Sequence, residues 1–184
     1  RRLLQMASAT GTTSFLTGST YGFADSATAT SVKLGGPQAM VVSAIPSGGH
    51  PAGTLYFSDS TQTIRKADSG TGAVTTIAGI TANMPTATTD TLATDKAVGT
   101  EAGFNRPRGI ALYNSDSEIV VCDYNNHVAR GVALTGTYAV TRLVGGLGNS
   151  PPTYGYTFGA ALAAARLKNP HAVAFADSVG LISM

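Results

Sequence analysis

The run VVCDYNNHVARGVAL, Val120 to Leu134, gathers the residues of this chain best suited to chemistry: Cys122 beside Asp123, then Asn126, His127 and Arg130. A carboxylate and an imidazole so close together suit acid–base work or metal binding. They equally suit a turn, because Asp and Asn side chains bond backbone amides and a His can donate to a neighbouring carbonyl.

Little else in the sequence completes a reaction centre. The histidines His50, His127 and His171 occur without His-x-x-x-His or Cys-x-x-Cys spacing, so no zinc set is spelled out. Serines are plentiful, but no Gly-x-Ser-x-Gly elbow accompanies them. The Gly-rich stretch from Val144 to Gly159 lacks the Lys-Ser/Thr ending of a phosphate loop. Cys122, the single cysteine, lies in an apolar strand context and reads as a buried, inert thiol. Asp116 and Glu118 fall on a hairpin turn, where solvation is the default. The expectation is therefore no catalytic residue, no metal and no cofactor.

The elements that position these residues are strands. The chain has 184 residues, 43% hydrophobic and only 12% charged, with 22 glycines, and Ser and Thr make up about a fifth of it. That balance predicts an all-β fold of short strands and many turns. A net charge of +2, with Lys and Arg scattered, gives no electrostatic footprint for nucleic acid or anionic membranes. No apolar run is long enough to cross a bilayer. No Asn-x-Ser/Thr sequon free of proline occurs, and the Ser/Thr/Pro-rich loops are candidates for O-linked sugar.

The chain repeats itself. LGGPQAMVV (from Leu34), FNRPRGIAL (from Phe104) and LKNPHAVAF (from Leu167) share an apolar residue, a proline three positions on, and a β run. Their prolines, Pro37, Pro107 and Pro170, lie 70 and then 63 positions apart. Asp59 and Asp123 coincide downstream, and each full copy holds four short apolar runs separated by turn residues. This divides the chain into 1–33 (the second half of a unit and a connecting loop), 34–103 and 104–166 (whole units with their loops), and 167–184 (the first half of another).

Phe104-x-x-Pro107-x-Gly109, then Asp123-x-x-Asn126-His127-x-x-Arg130, then Leu143-Val144-Gly145-Gly146 resemble the NHL repeat of six-bladed β-propellers. The earlier copy keeps Asp59 and Arg65 but lacks Asn-His. The resemblance implies an NHL-type β-propeller segment with four-stranded antiparallel blades, about three blade equivalents in all, beginning and ending mid-blade. It also implies that Asp59, Asp123, Asn126, His127 and Arg130 form a structural signature turn.

Gln38, Arg108 and His171 each follow a blade-opening proline, so the resemblance places them around one rim of the central channel as a candidate ligand or partner site. Tyr154, Tyr156 and Phe158 form a candidate partner-contact loop. The functional expectation is a non-catalytic scaffold for protein contacts, at a cell surface or outside cells, with protein partners or further copies or blades of the same assembly. One alternative is a channel-centred lyase or hydrolase. The other is an RNA-binding face using Arg65, Lys66, Arg106, Arg108 and Arg130.

Overall fold

The computed structural model describes residues 2–6, 10, 13–44, 46, 50–80, 94–145, 165–176 and 179–184. Its strands form four antiparallel sheets. In the first, β1 (Leu3–Met6) pairs with β2 (Thr13–Thr17). The second runs β3 (Pro37–Val42), β4 (Leu55–Asp59), β5 (Thr63–Ala67) and β6 (Val74–Ala78) in chain order. The third repeats that meander with β7 (Pro107–Tyr113), β8 (Glu118–Asp123), β9 (Val128–Ala133) and β10 (Val140–Val144). In the fourth, β11 (Ala172–Ala176) pairs with β12 (Val179–Ser183). Three single-turn 3-10 segments are the only helix among the described residues, so the all-β expectation stands.

Turn chemistry fixes the hairpins. Between β5 and β6 the Asp68 carboxylate accepts the Thr71 amide at 2.7 Å, the Thr71 hydroxyl at 2.9 Å and the Gly70 amide at 3.0 Å. The Thr71 bonds hold that carboxyl below its ordinary range. Between β7 and β8, Asn114, Ser115 and Asp116 adopt φ of 53°, 53° and 58°, a left-handed conformation that short polar side chains tolerate.

The core lies between sheets. All five residues of β4 are buried, which requires cover on both faces. Alternation divides them: Leu55 and Phe57 pack with Leu3, Leu16, Val32 and Leu34, whereas Tyr56 faces Phe104, just ahead of β7, and Ile110, Ile119 and Val121 of the third sheet. The period continues through β8, where Val120 and Cys122 turn away from Ile119 and Val121 to meet Leu167, ahead of β11, and Val173 of the fourth sheet. The second and third sheets are thus each filling between two neighbours.

The opening strands β3, β7 and β11 lie side by side along one edge of this stack. Their two junctions differ. Ser58 Oγ accepts the Ala39 amide at 3.2 Å and donates to the Arg108 carbonyl at 2.6 Å, bridging β3 to β7. The β7 to β11 junction is direct, with the Gly109 amide donating to the His171 carbonyl at 2.9 Å. A Cβ on Gly109 would stand 2.5 Å from Ala172 Cα and 2.7 Å from that carbonyl oxygen, so the approach needs glycine.

Candidate functional site

Asp59 and Asp123 close β4 and β8, and both are buried beside an arginine of the following strand. The Asp59 carboxylate accepts the amides of Gly36 at 2.7 Å and Gly35 at 3.2 Å, and Arg65 Nη1 at 3.2 Å. Arg65 donates onward to the carbonyls of Ala24 at 2.7 Å and Lys33 at 2.9 Å, and to Asp25 Oδ1 at 2.8 Å. One guanidinium therefore ties down the connector that crosses from the first sheet into β3.

The third sheet repeats the arrangement. Asp123 accepts the Asn105 amide at 2.7 Å, Asn126 Nδ2 at 2.8 Å and, more loosely, Arg130 Nη1 at 3.5 Å. Arg130 donates to the carbonyls of Thr94 at 2.6 Å and Gly103 at 2.7 Å. Burial pushes the Asp123 carboxyl up to about 6, against the pull of Arg130 and the amides. Arg65 and Arg130 have fully buried side chains engaged in ion pairs, so neither is available to phosphate. The RNA-face alternative loses two of its five cations.

His127 and Gln62 link consecutive sheets. His127 has φ 58°, and its Nδ1 accepts the Asn169 amide at 3.0 Å, just ahead of Pro170. The imidazole here accepts a hydrogen bond, where the sequence suggested donation to a carbonyl. Gln62 occupies the same place after β4 with φ 66°, and its Oε1 accepts the Arg106 amide at 2.6 Å, just ahead of Pro107. Burial, reinforced by Lys168, lowers the pKa of His127, which keeps the ring neutral and able to accept.

The fold brings Gln38, Arg108 and His171 to one end of the side-by-side opening strands. Arg108 Nη1 donates to His171 Nε2 at 2.8 Å, and its guanidinium lies 4.3 Å from the centre of the Tyr124 ring, which also meets His171 edge-on. On the other side, Gln38, Ser60, Arg106, Pro107 and Arg108 line a recess of about 110 Å³. Gln38 Nε2 is anchored to the Gly36 carbonyl at 3.1 Å. Here a cation meets an aromatic ring, an amide and an imidazole at the surface. The cluster suits binding of a polar or anionic group.

A second cluster carries no local sequence signal. Lys66 Nζ donates to Tyr138 Oη at 2.9 Å and lies 3.2 Å from His50 Nδ1, while Tyr138 Oη lies 3.2 Å from His50 Nε2. Burial, then the Lys66 charge, lowers the His50 pKa. Tyr56 lies beside it with a buried hydroxyl, pushed up to about 12 chiefly by burial. Asp116, expected in solvent, accepts Ser43 Oγ at 3.1 Å and the Ala44 amide at 3.0 Å across the sheet junction. Cys122 is buried, and that burial, with Asp123 nearby, pushes its thiol up to about 12.

Tyr154, Tyr156 and Phe158 lie outside the described residues. Among the described residues no three His, Cys, Asp or Glu side chains gather as a metal site, and no helix is long and apolar enough to cross a membrane.

No family model matches the chain, and no curated protein matches its sequence. Its fold is similar to that of solved structures. One is a structural-genomics protein of unknown function from Bacteroides thetaiotaomicron, with TM-score 0.68, 15% identity, and coverage of 98% of this chain and 39% of that one. Another is an auxiliary nutrient binding protein from Bacteroides ovatus, with TM-score 0.59, 18% identity, and coverage of 94% of this chain and 37% of that one. An auxiliary nutrient binding protein from Bacteroides thetaiotaomicron gives TM-score 0.58 and 19% identity over 94% of this chain and 37% of that one. The chain spans well under half the length of each, and at such identities the likeness speaks for fold alone.

Proposed function

We propose that this chain is a segment of an NHL-type β-propeller that works as a non-catalytic scaffold in a cell-surface or extracellular protein, meeting its partner at the rim of Gln38, Arg108 and His171. The observation that carries the reading is the division of labour among polar groups. Asp59, Arg65, Asp123 and Arg130 are buried in bonds that hold the sheets and connectors together. Arg108 and His171 instead meet each other at the surface, beside an aromatic ring and an open recess. Meandering four-stranded sheets stacked face to face, with their opening strands side by side, agree with a reading of the sheets as propeller blades. Two of the similar structures are described as nutrient binding proteins, which agrees with a binding role.

The test is retention of a partner from native extracts on the immobilised chain, set against a Gln38→Ala, Arg108→Ala, His171→Ala triple variant. We expect the variant to keep its melting temperature and lose the partner. Unchanged retention by the variant would move the contact face elsewhere.

A further inference from the structure

We propose that the recess over Ser60 binds an aromatic carboxylate; this deepens, and rests on, the reading of the rim as the binding face. Two corresponding corners show why. In the third sheet the residue after the buried Asp123 is Tyr124, whose ring fills the corner between Arg108 and His171, with the guanidinium 4.3 Å from its centre. In the second sheet the residue after the buried Asp59 is Ser60, and the corner between Gln38 and Arg108 is an open recess of about 110 Å³. What is missing there is a planar ring.

The walls say what that ring must carry. Arg106 and Arg108 both line the recess, and neither joins any of the three ion pairs among the described residues. Arg108 is already oriented by Tyr124 and His171, so little freedom is lost when its remaining donors take up an acid. Pro107 supplies an apolar wall for the ring, and Ser60 and Gln38 add polar contacts at the margin. A guanidinium fork matches a carboxylate in two parallel hydrogen bonds, which favours a planar acid over a neutral ring of the same shape. Ring and carboxylate together could come from a free small acid or from the C-terminal Phe or Tyr of a protein partner.

Calorimetric titration of the whole chain with benzoate, with a short peptide ending in Phe with a free carboxylate, and with benzamide tests the site. Benzoate, the peptide or both are expected to bind, and benzamide to bind at least about tenfold more weakly than benzoate, as loss of a charge-assisted bond implies. Ser60→Tyr places in the recess the ring that the third sheet already carries at that position, and is expected to abolish binding. Arg108→Gln is expected to weaken it at least about tenfold. Tighter binding of the peptide assigns the site to a partner's C-terminus, and tighter binding of benzoate assigns it to a free acid. Equal affinity for benzamide and benzoate, binding untouched by Ser60→Tyr, or no binding of either acid overturns the proposal. Should Ser60→Tyr fail to fold, Arg106→Gln combined with Arg108→Gln carries the same test. If the triple rim variant keeps its partner while Ser60→Tyr loses benzoate, the partner-face reading fails and the recess survives.

Discussion

After β4 the chain turns through Gln62, and after β8 through His127; each is left-handed, and each accepts the backbone amide of the residue ahead of the next sheet's proline. The amides belong to Arg106 and Asn169, themselves left-handed at φ 57° and 50°. Three features therefore recur together, while the accepting atom changes from an amide oxygen to a ring nitrogen. What the fold requires at this corner is an acceptor on a side chain long enough to reach across, rather than a histidine as such. The beginnings of the sheets show the same economy, since Ser58 Oγ bridges one junction while the other closes by direct backbone contact through Gly109.

The sharpest way to break the parallel between the two sheets is at their buried arginines. Arg65→Ala strips the counter-ion from Asp59 and Asp25 and frees two connector carbonyls, and removal of one partner of a buried pair costs about 3–5 kcal/mol. Arg130→Ala is expected to cost less, because its contact with Asp123 is looser at 3.5 Å. Urea unfolding midpoints of the two variants give the ranking, and a larger loss at Arg130 would reverse the comparison.

A smaller effect distinguishes the junctions. Gly109→Ala forces a methyl into the backbone of β11 and is expected to cost about 1–3 kcal/mol. Ser58→Ala removes the bridging hydroxyl and is expected to cost about 1 kcal/mol. Thermal melts of the pair check the order.

The smallest effect, and the most specific, is with pH. The folded pKa of His127 lies below its ordinary value of 6.5. Its contribution is therefore complete above that value and is lost as pH falls toward the folded pKa, where the unfolded chain binds the extra proton. Asp123 runs the other way: its folded pKa of about 6 exceeds the ordinary 3.8, so its contribution is present below the ordinary value and is lost as pH rises through 6. Comparing wild type with His127→Gln isolates the histidine. The two should match within about 1 kcal/mol at pH 8, with the variant relatively more stable at pH 5. Parallel stability curves between those values would show that Nδ1 does not carry the contact.

Much of this was readable in advance. The spacing of Pro37, Pro107 and Pro170 marks the opening strands, whereas the continuous apolar run Leu55, Tyr56 and Phe57 does not tell from sequence which core each side chain enters. The correspondence of Asp59 with Asp123 follows from the residues around them, and the step after each opening proline gives Gln38, Arg108 and His171 equivalent positions. Gln62 was hidden because the turn from Asp59 to Arg65 is one residue shorter than that from Asp123 to Arg130, which removes the Asn and shifts the alignment. The His50 cluster was hidden for a different reason. Its partner Tyr138 is 88 residues away, and contact at that range is set by how sheets stack, which no short window contains.

The guanidinium of Arg65 also bears on the order in which this chain takes shape. It holds the carbonyls of Ala24 and Lys33, which precede it by 41 and 32 residues. During synthesis from the amino terminus, that connector leaves the ribosome before the group that will fix it, and closing so long a loop costs more chain entropy than pairing neighbouring residues in a hairpin. The hairpin of β4 and β5, which brings Asp59 to Arg65, forms from neighbouring residues and can then capture the earlier segment. Synthesis runs forward along the chain while locking runs back.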